Sequence, residues 1–238
     1  MPAFLVHGVP DTTHLWDDVR AHLRRTDVLA PSMPGFATPL PNGFDCTKDA
    51  YASWLVARVE EAGAPVDIVG HDWGAMLVQR LVSQRPDLVR TWAVGSGPLD
   101  TEYEWHPTAK TWQTPGAGEQ LMTALTLDAV AGGWKAQGLA DEVARSVASR
   151  LDDRMKSSIL TLYRSATRVA DDWPPLTSSP APGLVIWGND DPYVGPEFGR
   201  RLAERTGATF VGFEGCGHWW PYQRAADVAA LLEEHWAR

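Results

Sequence analysis

Four short, largely apolar runs in this chain each break at a glycine. Ala3-Phe4-Leu5-Val6 leads to His7-Gly8, Val66-Asp67-Ile68-Val69 to Gly70, Thr91-Trp92-Ala93-Val94 to Gly95, and Gly183-Leu184-Val185-Ile186-Trp187 to Gly188. Runs of this length without polar alternation are what strands buried on both faces look like. Two further strands are expected at Asp27–Ala30 and Ala208–Phe213. Helical patterns separate them at 15–24, at 47–62 with Thr47 as N-cap, from Ala75 to about Pro86, at 196–206 and at 225–236. Strand and helix alternating in this way call for a layered α/β architecture around a mostly parallel sheet.

The stretch 99–176 interrupts that rhythm. It carries helical patterns at 119–131, 140–149 and 152–170, no strand run, and a Gly132-Gly133 pair that reads as a turn. The expected organisation is one core domain, 1–98 and 177–238, split by a helical insertion. Asp171-Asp172-Trp173-Pro174-Pro175 reads as the exit from that insertion.

Charge and cysteine usage narrow the function. Against 30 Asp+Glu stand 21 Lys+Arg, a formal charge of −9, which argues against nucleic acid or an anionic membrane surface as partner. No apolar run approaches the roughly 20 residues of a membrane-spanning helix, and the first residues lack the charged start and small-residue cleavage site of a signal peptide. Cys46 and Cys216 cannot build a disulfide framework, so a cytoplasmic protein is expected. No Cys or His pair has metal-ligand spacing, and no glycine-rich phosphate loop is present. Twelve of the 238 residues are Trp; most should pack in the core, but so many also suit an aromatic-walled pocket for a small hydrophobic substrate.

The chemistry concentrates at Gly70-His71-Asp72-Trp73-Gly74, placed directly after a strand and directly before a helix. This is the layout of a nucleophile elbow, G-x-S-x-G, with Asp in the serine position. Taken alone, the turn is equally compatible with a capping aspartate at an ordinary strand–helix junction. Gly188-Asn189-Asp190-Asp191-Pro192 follows a later strand and Gly215-Cys216-Gly217-His218 the last one. Nucleophile, acid and histidine candidates therefore lie in that chain order, each after a strand, on the sheet edge where α/β proteins build sites.

These pieces, with His7-Gly8-Val9-Pro10 and His218-Trp219, resemble the epoxide hydrolase and haloalkane dehalogenase branch of the α/β-hydrolases. The resemblance spans nearly the whole chain. It implies an α/β-hydrolase fold with 99–176 as cap domain, Asp72 as nucleophile, His218 as base, Asp191 (rather than its competitor Asp190) as the acid orienting His218, and no cofactor. It further implies oxyanion-hole N–H groups from Val9 and Trp73, and substrate contacts from His7, Pro10, Trp105, Trp112 and Trp219. An aspartate is already ionised at neutral pH and suits attack at saturated carbon, giving an alkyl ester; an ordinary esterase would have to form an anhydride.

Leaving-group donors separate the two reactions. Many dehalogenases place a halide-contacting Asn where this chain has Val9. Ser158-Ile159-Leu160-Thr161-Leu162-Tyr163-Arg164 resembles the epoxide hydrolase segment whose Tyr donates to the oxirane oxygen, which implies Tyr163. His106 stands where relatives carry a second donor, with Tyr103 as fallback. The expected activity is thus epoxide hydrolysis to vicinal diols; the alternatives are dehalogenation at the same site or a binding protein that keeps the fold without turnover. The family normally has two strands before its H-G-x-P strand, which here starts at residue 3. About six strands rather than eight are expected, and an edge so exposed could seek a partner in a homodimer.

Overall fold

The computed structural model describes residues 1–238. Six strands form one parallel sheet: β1 (Ala3–Val6), β2 (Val28–Leu29), β3 (Val66–His71), β4 (Val89–Gly95), β5 (Gly183–Gly188) and β6 (Thr209–Phe213), in the spatial order β2-β1-β3-β4-β5-β6. Helices α1 (Asp17–His22), α2 (Lys48–Glu61), α3 (Trp73–Gln84), α10 (Pro196–Thr206), α11 (Trp220–Gln223) and α12 (Ala225–Trp236) flank it, and six further helices lie in the chain between β4 and β5. No helix is long and apolar enough to cross a membrane.

Each strand except β2, whose Leu29 is exposed, feeds two cores. In β1, Phe4 and Val6 point into the core shared with α2, α3 and α10, while Ala3 and Leu5 join the opposite core with α1 and α12. That period-2 division explains why the strands read as continuous apolar runs. Thr47 caps α2 as expected, its hydroxyl accepting from Ala50 N at 3.3 Å. Register puts Val6 beside Gly70, His71 beside Gly95 and Gly188 beside Phe213. The strands thus end together, and the loops after them open on one edge. Beyond β1 the sheet closes with β2, only two residues long, so that edge leaves few backbone groups unpaired.

The segment between β4 and β5 is more finely divided than its pattern suggests. It folds into α4 (Pro107–Gln113), α5 (Ala117–Ala124), α6 (Leu127–Ala136), α7 (Asp141–Ala148), α8 (Asp153–Arg164) and α9 (Val169–Asp172). The expected helix 119–131 breaks because Thr126 caps a new one, its hydroxyl accepting from Ala129 N. Gly132-Gly133 is not a turn: both residues lie inside α6. Nothing stands within 4 Å of a side chain added at either, and Gly133 lines the cavity above Asp72 described below.

Candidate active site

The turn from β3 into α3 is set by two close backbone approaches. A Cβ on Gly70 would lie 2.3 Å from Gly74 O, and one on Gly74 would lie 2.2 Å from Val6 O. Only glycine permits the elbow to pack this tightly against β1. Between them Asp72 adopts φ 54°, ψ −122°, a strained backbone for a non-glycine residue, costing about 1–3 kcal/mol. Its N–H donates to Gly95 O at 3.0 Å and its C=O accepts from Ala75 N at 2.9 Å, so the surroundings hold the strain. The side chain makes no capping bond to α3. The capping reading of this aspartate fails.

Instead, Asp72 Oδ1 accepts from Val9 N at 2.6 Å, and Oδ2 faces His218 Nε2 at 3.7 Å, too far for a direct hydrogen bond. His218 Nδ1 lies 2.8 Å from Asp191 Oδ2, and Asp191 Oδ1 accepts from Tyr193 N and Val194 N at 2.9 and 3.1 Å. Asp190, by contrast, is exposed. The three candidates converge from the ends of β3, β5 and β6.

Burial pushes Asp72 up to about 6, against the pull of His218 and the N–H groups of Val9 and Trp73. Burial would likewise raise Asp191, but the adjoining His218 and the backbone donors bring it below the usual carboxylate range. His218 rises above its ordinary value because the two carboxylates outweigh its own desolvation. An ionised acid thus holds Nδ1–H, leaving Nε2 free to accept a proton.

Above Asp72 lies a mostly apolar cavity of about 280 Å³. Of the sequence candidates, Val9, Pro10, Tyr103, Trp105, His106, Trp112, Tyr163, His218 and Trp219 line it. Tyr163, on α8, is ringed by Trp73, Trp105 and Trp112 at centroid distances of 5.5, 5.3 and 4.8 Å. Burial and the charge of Asp72 hold its phenol well above 10, hence protonated. His106 caps α4, its Nδ1 accepting from Ala109 N at 3.3 Å. Burial pulls this ring down to about 4, so it is neutral and carries its proton on Nε2.

One expectation needs correction. His7 does not contact the cavity: it is fully buried, its Nε2 accepts from Met33 N at 2.9 Å, and its Nδ1 lies 2.8 Å from Gly8 O. Both ring nitrogens are used in tying the end of β1 to the next loop. The side chain of Trp73 lies behind the cavity wall, stacked on Trp105 at 5.9 Å. Three residues went unread in the sequence. His71 Nε2 donates to His218 O at 2.8 Å, and burial lowers its ring to about 3, keeping it neutral. Tyr193 and Gln137 also line the cavity. His71 and Tyr193 stand beside motif residues, the one signal that could have found them; Gln137 carries none. No group of three His, Cys, Asp or Glu side chains is placed to hold a metal ion.

An aspartate on a strand–helix elbow, an acid-held histidine opposite it and a mostly apolar cavity above define an α/β enzyme site of the hydrolase kind. Residues 3–231 match the model of the alpha/beta hydrolase family, and the chain belongs to that family. It is 24% identical over 211 residues to the (E)-2-((N-methylformamido)methylene)succinate hydrolase of Acinetobacter baylyi, spanning 86% of this chain and 78% of that one. It is 24% identical over 230 residues to a haloalkane dehalogenase of Bradyrhizobium diazoefficiens, spanning 83% and 74%. Its fold superimposes on an epoxide hydrolase from Vigna radiata with TM-score 0.81 at 18% identity, covering 99% and 91%. The resemblance drawn from the motifs is supported at this level.

Proposed function

We propose that this protein opens epoxides of small hydrophobic molecules to vicinal diols, through an alkyl ester on Asp72. The observation that carries the reading is the split environment of the Asp72 carboxylate. Oδ1 is held by the Val9 N–H, while Oδ2 faces the cavity below a protonated Tyr163. Residues 99–176 act as a cap over the core formed by 1–98 and 177–238, since the cavity is walled from both.

In the first step Oδ2 attacks an oxirane carbon and the ring C–O bond breaks. The departing alkoxide takes the Tyr163 proton, steadied by His106 Nε2–H; the phenolate is reprotonated from solvent. In the second step His218 Nε2 removes a proton from water as it attacks the ester carbonyl carbon. Charge then develops on Oδ1, where Val9 and Trp73 N–H groups serve as the oxyanion hole. Collapse breaks the acyl C–O bond and His218 gives its proton to the leaving alkoxide, releasing the diol; the regenerated Asp72 carboxylic acid then loses its proton to solvent, which balances the one taken up by the Tyr163 phenolate.

A second reading, dehalogenation at the same carboxylate, is favoured by the indole N–H of Trp112, which lines the cavity and is buried without a partner, the kind of weak donor a halide needs. One experiment separates the readings. The protein is incubated with styrene-type epoxides and 1-haloalkanes while diol and halide are measured, and His218→Gln is used to trap adduct on the Asp72 peptide by mass. Diol with an epoxide adduct is the expected result; halide release with a haloalkane adduct establishes the second reading. No adduct with any substrate overturns both and leaves a binding protein.

A further inference from the structure

Gln137 ends α6 and spends every polar atom of its side chain and its carbonyl on fixed partners. Its Oε1 accepts from Trp219 Nε1 at 3.1 Å, and its backbone O accepts from Gln223 Nε2 at 3.1 Å. Its Nε2 reaches Tyr193 Oη at 2.6 Å and, weakly, Gly133 O at 3.5 Å. An indole N–H can only donate and a backbone carbonyl can only accept, so the amide orientation is forced at both ends. Nε2 is therefore the donor to Tyr193, and the tyrosine oxygen is the acceptor.

This has a consequence at Tyr193. Its own proton cannot point at Gln137, and its hydroxyl donates to nothing else in the protein. The ring stands at the cavity wall between His106 and His218, at centroid distances of 4.9 and 5.1 Å. Burial and the neighbouring carboxylates keep the phenol protonated. The one direction left for that proton is the cavity.

We propose that Tyr193 is a second hydroxyl donor to a substrate oxygen, aimed into the cavity by Gln137 as a positioning residue. The substrate class it fits is a hydrophobic molecule bearing a neutral oxygen acceptor. Gln137 belongs to the segment between β4 and β5, and Tyr193 follows the acid candidate by two residues, so the donor is set only when that segment is seated on the core. The proposal rests on the epoxide reading only for which oxygen is held during turnover.

The test uses the intact protein and an unreactive pair of probes, acetophenone and ethylbenzene, which differ chiefly in a carbonyl acceptor. Binding is followed by quenching of the cavity tryptophans. Tyr193→Phe should weaken acetophenone about three- to tenfold, the value of one neutral hydrogen bond, and leave ethylbenzene unchanged. Gln137→Glu keeps the Trp219 bond but presents an acceptor to Tyr193, which turns the hydroxyl away from the cavity. It should lose a similar factor for acetophenone, and the double variant no more than either single one. Acetophenone binding unchanged in Tyr193→Phe, or equal losses for both probes, overturns the proposal. Diol formation by the parent is scored separately, so failure of the epoxide reading leaves this binding result standing.

Discussion

Replacing Asp191 with Asn changes almost no volume but reverses one hydrogen bond. The carboxylate side chain is 0% exposed and lies 2.8 Å from His218 Nδ1. In Asp191→Asn the side-chain oxygen can still accept from Tyr193 N and Val194 N, which puts the NH2 group against His218. The imidazole must then accept at Nδ1 and carry its proton on Nε2, the wrong tautomer for taking a proton from water. Comparable isosteric changes in serine hydrolase triads lower turnover by about 10⁴. There the histidine serves both halves of the reaction, whereas attack by an already ionised Asp72 needs no base. Adduct formation should therefore stay within about tenfold of the parent, while ester hydrolysis falls by roughly 10²–10⁴. Losing a charge-assisted bond should also cost about 1–3 kcal/mol of stability, or roughly 2–4 °C of melting temperature for each kcal/mol. Rapid mixing of excess enzyme with one epoxide, acid quenching, intact-mass measurement of adduct and chromatography of diol give both rates. Hydrolysis within tenfold of the parent, or an equal fall in both steps, would refute the assignment of Asp191.

Three further outcomes are expected. Because burial holds Asp72 at about 6 and the attacking form is the ionised one, kcat/KM for epoxide should fall as pH drops through about 6; a limb near the ordinary carboxylate value of about 4 would contradict this. Tyr163→Phe should slow epoxide opening by about 10²-fold or more but leave haloalkane adduct formation nearly unchanged, as single-turnover assays with both substrates would reveal. Gly74→Ala places a Cβ 2.2 Å from Val6 O and 2.7 Å from His7 O, backbone atoms that cannot swing aside. It should cost about 3 kcal/mol or more, seen by thermal denaturation as a large drop in melting temperature or as no folded protein.

The sequence was most legible where a local rule acts on adjacent residues. Strand runs buried on both faces, the Thr47 cap and the glycine-flanked elbow are written in consecutive letters, and each forms where it is expected. Reading failed where two local meanings compete. Gly132-Gly133 has the composition of a turn, yet packing of α6 carries the helix through it, at a propensity cost of about 1 kcal/mol per glycine relative to alanine. His7 sits in a motif, but its burial and two short hydrogen bonds make it a structural post.

By itself, then, the sequence determined the layering, the parallel sheet and which three residues stand at strand ends, because strand periodicity and glycine sterics are short-range. It could not decide between Asp190 and Asp191 by chemistry, nor whether His106 faces substrate. Those depend on burial and on the direction of hydrogen bonds between distant segments. The Gln137–Tyr193 and Gln137–Trp219 pairs span 56 and 82 residues of chain. Only the folded protein brings them within reach, and only their fixed donor and acceptor roles decide where a proton in the cavity points.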